Sequence, residues 1–290
     1  MTGDGWASAV RRQLGLGRVL PLGGAGDGAW LTEAAATAVL RRAAERVTGA
    51  RLTSVRVDLA DADAAYVSAA GVPPDACVAT VPAPPSALPP GPLRISGEFA
   101  AGTAEPLPAL ASRLRAALAT AAADRLGLAV ATVDLRVTAL LDEHEEHAEH
   151  AEHAGPDDRD GADKPNEPDT RDGPPGPAEA AATAPAAAAE APDSPEDRIA
   201  RAALAVSGVT RLTGAFGGLG RAVQVREHEP LNSLPRRHVQ VELAVTADRR
   251  ALDVARAVRT AVGAALPDRP SVAVLVTAVD EPGQDGTRPG

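Results

Sequence analysis

Two stretches of this chain carry the same order of apolar and polar positions. From Pro92 to Glu143 an alternating segment, an Ala/Leu segment of helical period and a second alternating segment follow one another, ending VTALLDE. From Arg237 to Glu281 the order returns and ends VTAVDE. In the first stretch, Leu93, Ile95 and Phe99 mark a strand, and Leu107, Leu110, Leu114 and Leu118 mark the helix. Val133, Leu135 and Val137 then alternate with Asp134, Arg136 and Thr138. In the second stretch Val239, Val241, Leu243 and Val245 form the strand, and Leu252, Ala255, Val258, Val262 and Leu266 line the helix. Ser271 to Val279 is almost continuously apolar, which suits a strand covered on both faces.

The repeat extends to the segments that lead in. Thr32 is placed to cap a helix running to about Val47, with Ala36, Leu40, Ala43 and Val47 as its apolar stripe and Gly49 as its left-handed stop. Arg51 to Leu59 then alternates as a half-buried strand. In the later half, Ser194-Pro195-Glu196-Asp197 has the form of a capped helix start. Ile199, Ala202 and Val206 face inward, and Gly208 ends that helix. TGARLTS follows the first helix and VTRLTG the second. Val223 and Val225 begin a further strand ahead of Val239. The expected fold class is therefore α+β. It consists of two similar α-β-β-α-β domains, helices packed on one face of a small sheet, joined by a disordered linker.

Boundaries follow where periodicity is lost. Residues 1–29 read as an N-terminal amphipathic helix, with Trp6, Val10 and Leu14 on one face, and a Gly-rich connector. Within that connector Gly24, Gly26 and Ala29 fit a loose phosphate-loop spacing, but no strong strand precedes it and a flexible connector is the expectation. Residues 30–142 form the first domain, with a Pro-rich loop at 60–91 that holds Cys77 in no catalytic company. Residues 143–193 form the acidic His/Ala/Pro-rich linker, 194–281 the second domain and 282–290 a polar tail.

Composition changes this picture in two ways. Aromatics are 2% of the chain, so its core is built from Ala, Val and Leu. The net charge of −10 is also localised. Residues 142–193 hold 3 basic and 16 acidic side chains, whereas 1–141 hold 13 arginines against 12 acids and 194–290 hold 13 against 11. Near-neutral halves with few aromatics argue against nucleic acid as a partner. A single cysteine excludes an internal disulfide. No run of about 18 apolar residues spans a bilayer, and no secretory pattern opens the chain, so a cytoplasmic protein is expected.

Candidate chemistry is sparse. No nucleophile elbow, P-loop, zincin or kinase signature occurs, so neither an enzyme nor a cofactor is expected. Arg221, Arg226, Arg236, Arg237 and His238 flank the turn between two predicted antiparallel strands, together with His228. Forked guanidinium contacts there could hold a carboxylate or phosphate partner, while Glu227 and Glu229 supply neutralising charge for a plain solvated hairpin. Gly217 to Gly220 spells the GXXG of an RNA-binding loop, but it precedes a strand instead of joining two helices. In the linker, His144, His147, His150 and His153 recur every third residue among glutamates. That pattern could bind a divalent transition metal weakly, and a solvated spacer is the simpler reading.

With both halves read, the second resembles the alkaline-shock-protein family of bacterial envelope stress proteins, the Gls-type domain. The residues that carry this are Ala205-Val206-Ser207-Gly208-Val209 at the end of the entering helix, the glycine-rich turn Gly214 to Gly220, the strand Val239 to Val245, the amphipathic helix and the closing Val-rich strand. Residues 30–142 look like a more divergent copy. High-GC bacterial chains of this kind sometimes carry a nucleopolyhedrovirus fibrous-body family label, although no heptad pattern occurs here. The resemblance implies a non-enzymatic stress-response or envelope-associated scaffold that self-associates or binds protein partners. It also implies a cytoplasmic location, peripheral at the inner face of the membrane where a partner recruits it. The alternative is a nucleic-acid or small-anion binding module centred on the Arg hairpin.

Overall fold

The computed structural model describes residues 17–70, 81–84, 86–141, 194–214, 221–228 and 236–281. The expected N-terminal helix, Cys77, the His-bearing linker, the Gly217–Gly220 turn and the tail lie outside these residues. Of the described residues, 35% are helical and 36% are in strands, so the chain is a mixed α/β fold.

The elements in order are β1 (Val19–Pro21), β2 (Ala29–Thr32), α1 (Glu33–Glu45), β3 (Ala50–Leu59), α2 (Ala62–Ala70), β4 (Leu93–Ala101), α3 (Leu107–Thr120, continuing as a π-helical turn Ala121–Leu126) and β5 (Val130–Leu140). After the linker come α4 (Pro195–Leu204), β6 (Val209–Leu212), β7 (Val223–His228), β8 (Arg236–Thr246), α5 (Ala251–Ala265) and β9 (Ser271–Asp280). The N-caps at Thr32 and Ser194 are those the sequence marks, but α1 and α4 end at the C-caps Arg46 and Ala205, three residues before the expected stops Gly49 and Gly208. Thr32 Oγ1 accepts from the Ala35 amide at 3.3 Å. Ser194 and Asp197 form a reciprocal capping box.

Two sheets result. In the smaller, β4 lies between β3, antiparallel to it, and β5, parallel to it. In the larger, β8 is antiparallel to β6 and β7 on one side and parallel to β9 on the other. In each sheet the parallel pair slips by one residue near its end. The slip leaves Thr138 unpaired between Val137 and Ala139 in β5, and Thr277 between Val276 and Ala278 in β9. Thr138 Oγ1 donates to Phe99 O at 3.5 Å, and Thr277 Oγ1 donates to Leu243 O at 3.2 Å. Phe99 and Leu243 hold matching register positions beside the two slips.

Three features depart from the sequence reading. The Gly-rich connector is the turn of an antiparallel β1–β2 hairpin, and β2 pairs in parallel with β9, Trp30 opposite Leu275. The expected boundary at residue 29 thus falls inside a strand that completes the sheet of the other half. Second, the 60–91 loop contains α2. Its sequence, ADAAYVSAA, has no polar–apolar period to announce a helix. Third, one continuous apolar cluster runs from Leu20 through Leu110, Phe99 and Ile199 to Val276, drawing on both halves. Helices α1 and α3 cover one face of the smaller sheet, and α4 and α5 cover one face of the larger.

Candidate functional site

The arginine hairpin forms in the register the sequence allows. Arg226 lies opposite His238, Glu227 opposite Arg237, and His228 opposite Arg236. Side chains alternate across a strand, so Arg226 and His238 share one sheet face while Arg237 points to the other. Arg237 pairs with Asp268 at 3.5 Å, near the entry to β9. His238 is 7% exposed, and its Nδ1 lies 2.9 Å from Ser271 Oγ. Arg226 Nη2 donates to Gln224 Oε1 at 2.7 Å. Arg221 is exposed and precedes β7 by two residues, at the opposite end of that strand from Arg226. The Arg236 and His228 side chains lie outside the described residues. Arg226 and His238 are therefore brought together, whereas Arg237 and Arg221 are held apart from them. The described cations do not form one forked grip on an anion.

A polar column that the sequence reading did not single out runs along the same face as His238. Gln240 is 7% exposed and Glu242 is fully buried, with Gln240 Nε2 donating to Glu242 Oε1 at 3.3 Å. Their parallel neighbours on β9 are Ser271, Ala273 and Leu275. Further along, Thr213 Oγ1 and Thr277 Oγ1 share a hydrogen bond at 2.7 Å. Val19, Trp30, Val81, Ala273 and Leu275 form a second apolar cluster on this face. Read alone, the VQVELAV pattern places Gln240 and Glu242 on a solvated face. The signal that could have corrected this is β9, whose unbroken apolar run requires cover on both sides of the sheet. Its neighbour β8 must then bury its polar residues too.

A broad cleft lies between the halves. It encloses about 760 Å³ and is bounded by α1, the π-helical turn, the β8–α5 turn and the end of β9. Arg42 pairs with Glu281 at 3.0 Å, and Arg125 Nη1 donates to Ala247 O at 2.8 Å. Arg42, Arg46 and Arg125 face Asp124, Asp248 and Glu281, so the charged rim selects neither sign. No group of three metal-ligating side chains is present among the described residues. The four linker histidines fall outside them.

Two ion-paired ties hold the N-terminal hairpin. Arg18 bridges Glu33 at 3.1 Å, Asp58 and the Val57 carbonyl at 2.8 Å. Burial would push the Glu33 carboxyl up, but hydrogen bonds from Arg18 hold it below its ordinary value. Arg256 forks onto Asp27 at 2.8 and 3.0 Å, and that contact, opposed by burial, depresses the Asp27 carboxyl. Lowered folded-state carboxyls contribute stability that is complete above the ordinary carboxylate range. It is lost as pH falls through the lowered values, so both ties loosen in acid and not in base.

No helix of the described residues is long and apolar enough to cross a membrane. No family model, curated protein or solved structure matches the chain.

Proposed function

We propose that this chain is a non-enzymatic interaction protein of the alkaline-shock type, built from two diverged copies of one α-β-β-α-β unit. It acts by self-association or through protein partners at the cell envelope. The shared strand order of the two sheets and the threonine-centred slips at Thr138 and Thr277 support the duplication. Recruitment to the membrane would come through a partner.

The observation that carries the reading is the state of β5. This strand is 11 residues long and ends the smaller sheet. Val137 is 37% exposed and Leu140 60% exposed along it. Its counterpart β9 is buried along most of its length, paired with β8 throughout and with β2 at Val274 to Val276. A long, exposed edge of branched residues is a template for adding another strand.

Sedimentation velocity of the full chain, with and without RNA, tests this. The expected result is a mass that rises with protein concentration, without nucleic acid and with little dependence on salt. A strict monomer that binds RNA with an affinity falling steeply in salt would instead establish the anion-binding module.

A further inference from the structure

We propose that the open edge of β5 pairs antiparallel with β5 of a second copy of this chain, through a two-fold axis at Leu135. This deepens the self-association reading above and rests on it. The occupant is identified by the strand's own sequence. Val130 to Leu140 reads V-A-T-V-D-L-R-V-T-A-L. Between Ala131 and Ala139 it is a mirror about Leu135 with one asymmetry: Asp134 on one side is answered by Arg136 on the other. At the ends, Val130 is answered by the equally apolar Leu140.

An antiparallel pair brings residues of the same face opposite one another. With the axis at Leu135, Asp134 faces Arg136 of the second copy and Arg136 faces its Asp134. Val133 faces Val137 on the helix side. Both charged side chains lie on the exposed, helix-free face, where Asp134 is also 3.4 Å from Arg94. Pairing of β5 with β4 is regular from Thr132 to Val137, so the central residues present a straight edge.

Neighbouring registers are disfavoured. A strand whose two faces differ can shift only in steps that keep each face in place. An axis at Asp134 sets aspartate against aspartate, and an axis at Arg136 sets arginine against arginine. Axes at Val133 or Val137 leave both charges facing uncharged side chains. The Leu135 register is the one that pairs opposite charges, twice, by symmetry. The product is a six-stranded sheet with its helices on one side. Among the described residues, no strand occupies the β5 edge, whereas the middle of the matching β9 edge, Val274 to Val276, is paired with β2.

A charge-swap mixing experiment in the full chain tests this. Arg136→Glu alone sets the introduced carboxylate against Asp134 of the second copy, and Asp134→Lys alone sets the introduced ammonium against Arg136. Each variant should dimerise at least about tenfold more weakly than the parent, since like charges directly opposite destabilise a pair. An equimolar mixture should form a heterodimer, because each repulsive side chain then meets its opposite. A second measurement leaves the charges in place. In a Cys77→Ser background, Leu135→Cys should form an intermolecular disulfide under mild oxidation, since facing Cα atoms in such a pair fall within disulfide reach. Thr132→Cys, which would face Thr138, should not. Concentration-dependent assembly with no Leu135→Cys crosslink and no preference for the mixed pair would overturn the β5 interface and leave self-association standing. A parent chain that is monomeric at every concentration would overturn both.

Discussion

At Gly127 the chain leaves the π-helical turn with φ +89°, and a Cβ there would lie 2.5 Å from Leu252 Cβ. Two costs coincide at this position: a left-handed backbone that side chains resist, and a collision between the two halves of the chain. Gly127→Ala should lower stability by about 2–4 kcal/mol, read as a shift in the urea midpoint. Gly263, inside α5 with nothing within 4 Å of its would-be Cβ, is the control. Gly263→Ala should raise stability by roughly 0.5–1 kcal/mol. Equal losses at both sites would remove the close approach of Gly127 to Leu252 from the account. Features of this scale are legible in the sequence where their partners are near. Thr32 and Ser194 perform the capping role their neighbours announce, whereas Gly49 and Gly208 do not end their helices: these stop at the right-handed caps Arg46 and Ala205, and the two glycines make left-handed turns three residues later. Of the two reasons for glycine at 127, the left-handed helix stop is local, but the approach to Leu252 is not legible because it lies more than a hundred residues away. The burial of Gln240 and Glu242 is not legible for the same cause: it depends on what covers that face of β8.

Among the elements, β9 and β5 show what pattern can and cannot tell. The unbroken apolar run of β9 identifies a strand covered on both faces, and the alternation of β5 identifies a half-covered one. Neither pattern says which strand lies alongside. β2 is four residues long, too short to declare a register, and it completes the sheet of the distant half. That pairing, with Arg125 on Ala247 O, Arg250 on Ala123 O at 3.0 Å and Arg256 on Asp27, ties the halves together without the linker. Residues 1–141 and 194–290, expressed as separate chains in one cell, should therefore co-purify through size exclusion. Independent elution of two folded fragments would show that the linker, and not the β2–β9 ladder and the shared core, joins them. The arginine hairpin belongs to this scale as well. Its strand pairing is readable from two alternating segments around a turn. The division of its cations between opposite faces follows from the register alone, which puts Arg226 opposite His238 and Arg237 opposite Glu227.

For the whole molecule, the proposed duplication leaves one copy's sheet edge partly paired from within, by β2 on β9, and the other's, at β5, open to a second copy. The acidic excess lies in the linker, so the near-neutral halves do not repel one another strongly and short-range pairing can decide association. Hydrogen–deuterium exchange of the full chain, followed across protein concentration, reads that edge directly. The outward-facing amides of Thr132 to Val137 should be poorly protected in dilute solution. They should become slower as concentration rises, while Val274 to Val276 of β9, already paired on both sides, stay unchanged. Exchange in β5 that is the same at every concentration in a chain that nevertheless assembles would contradict the account and move the interface elsewhere.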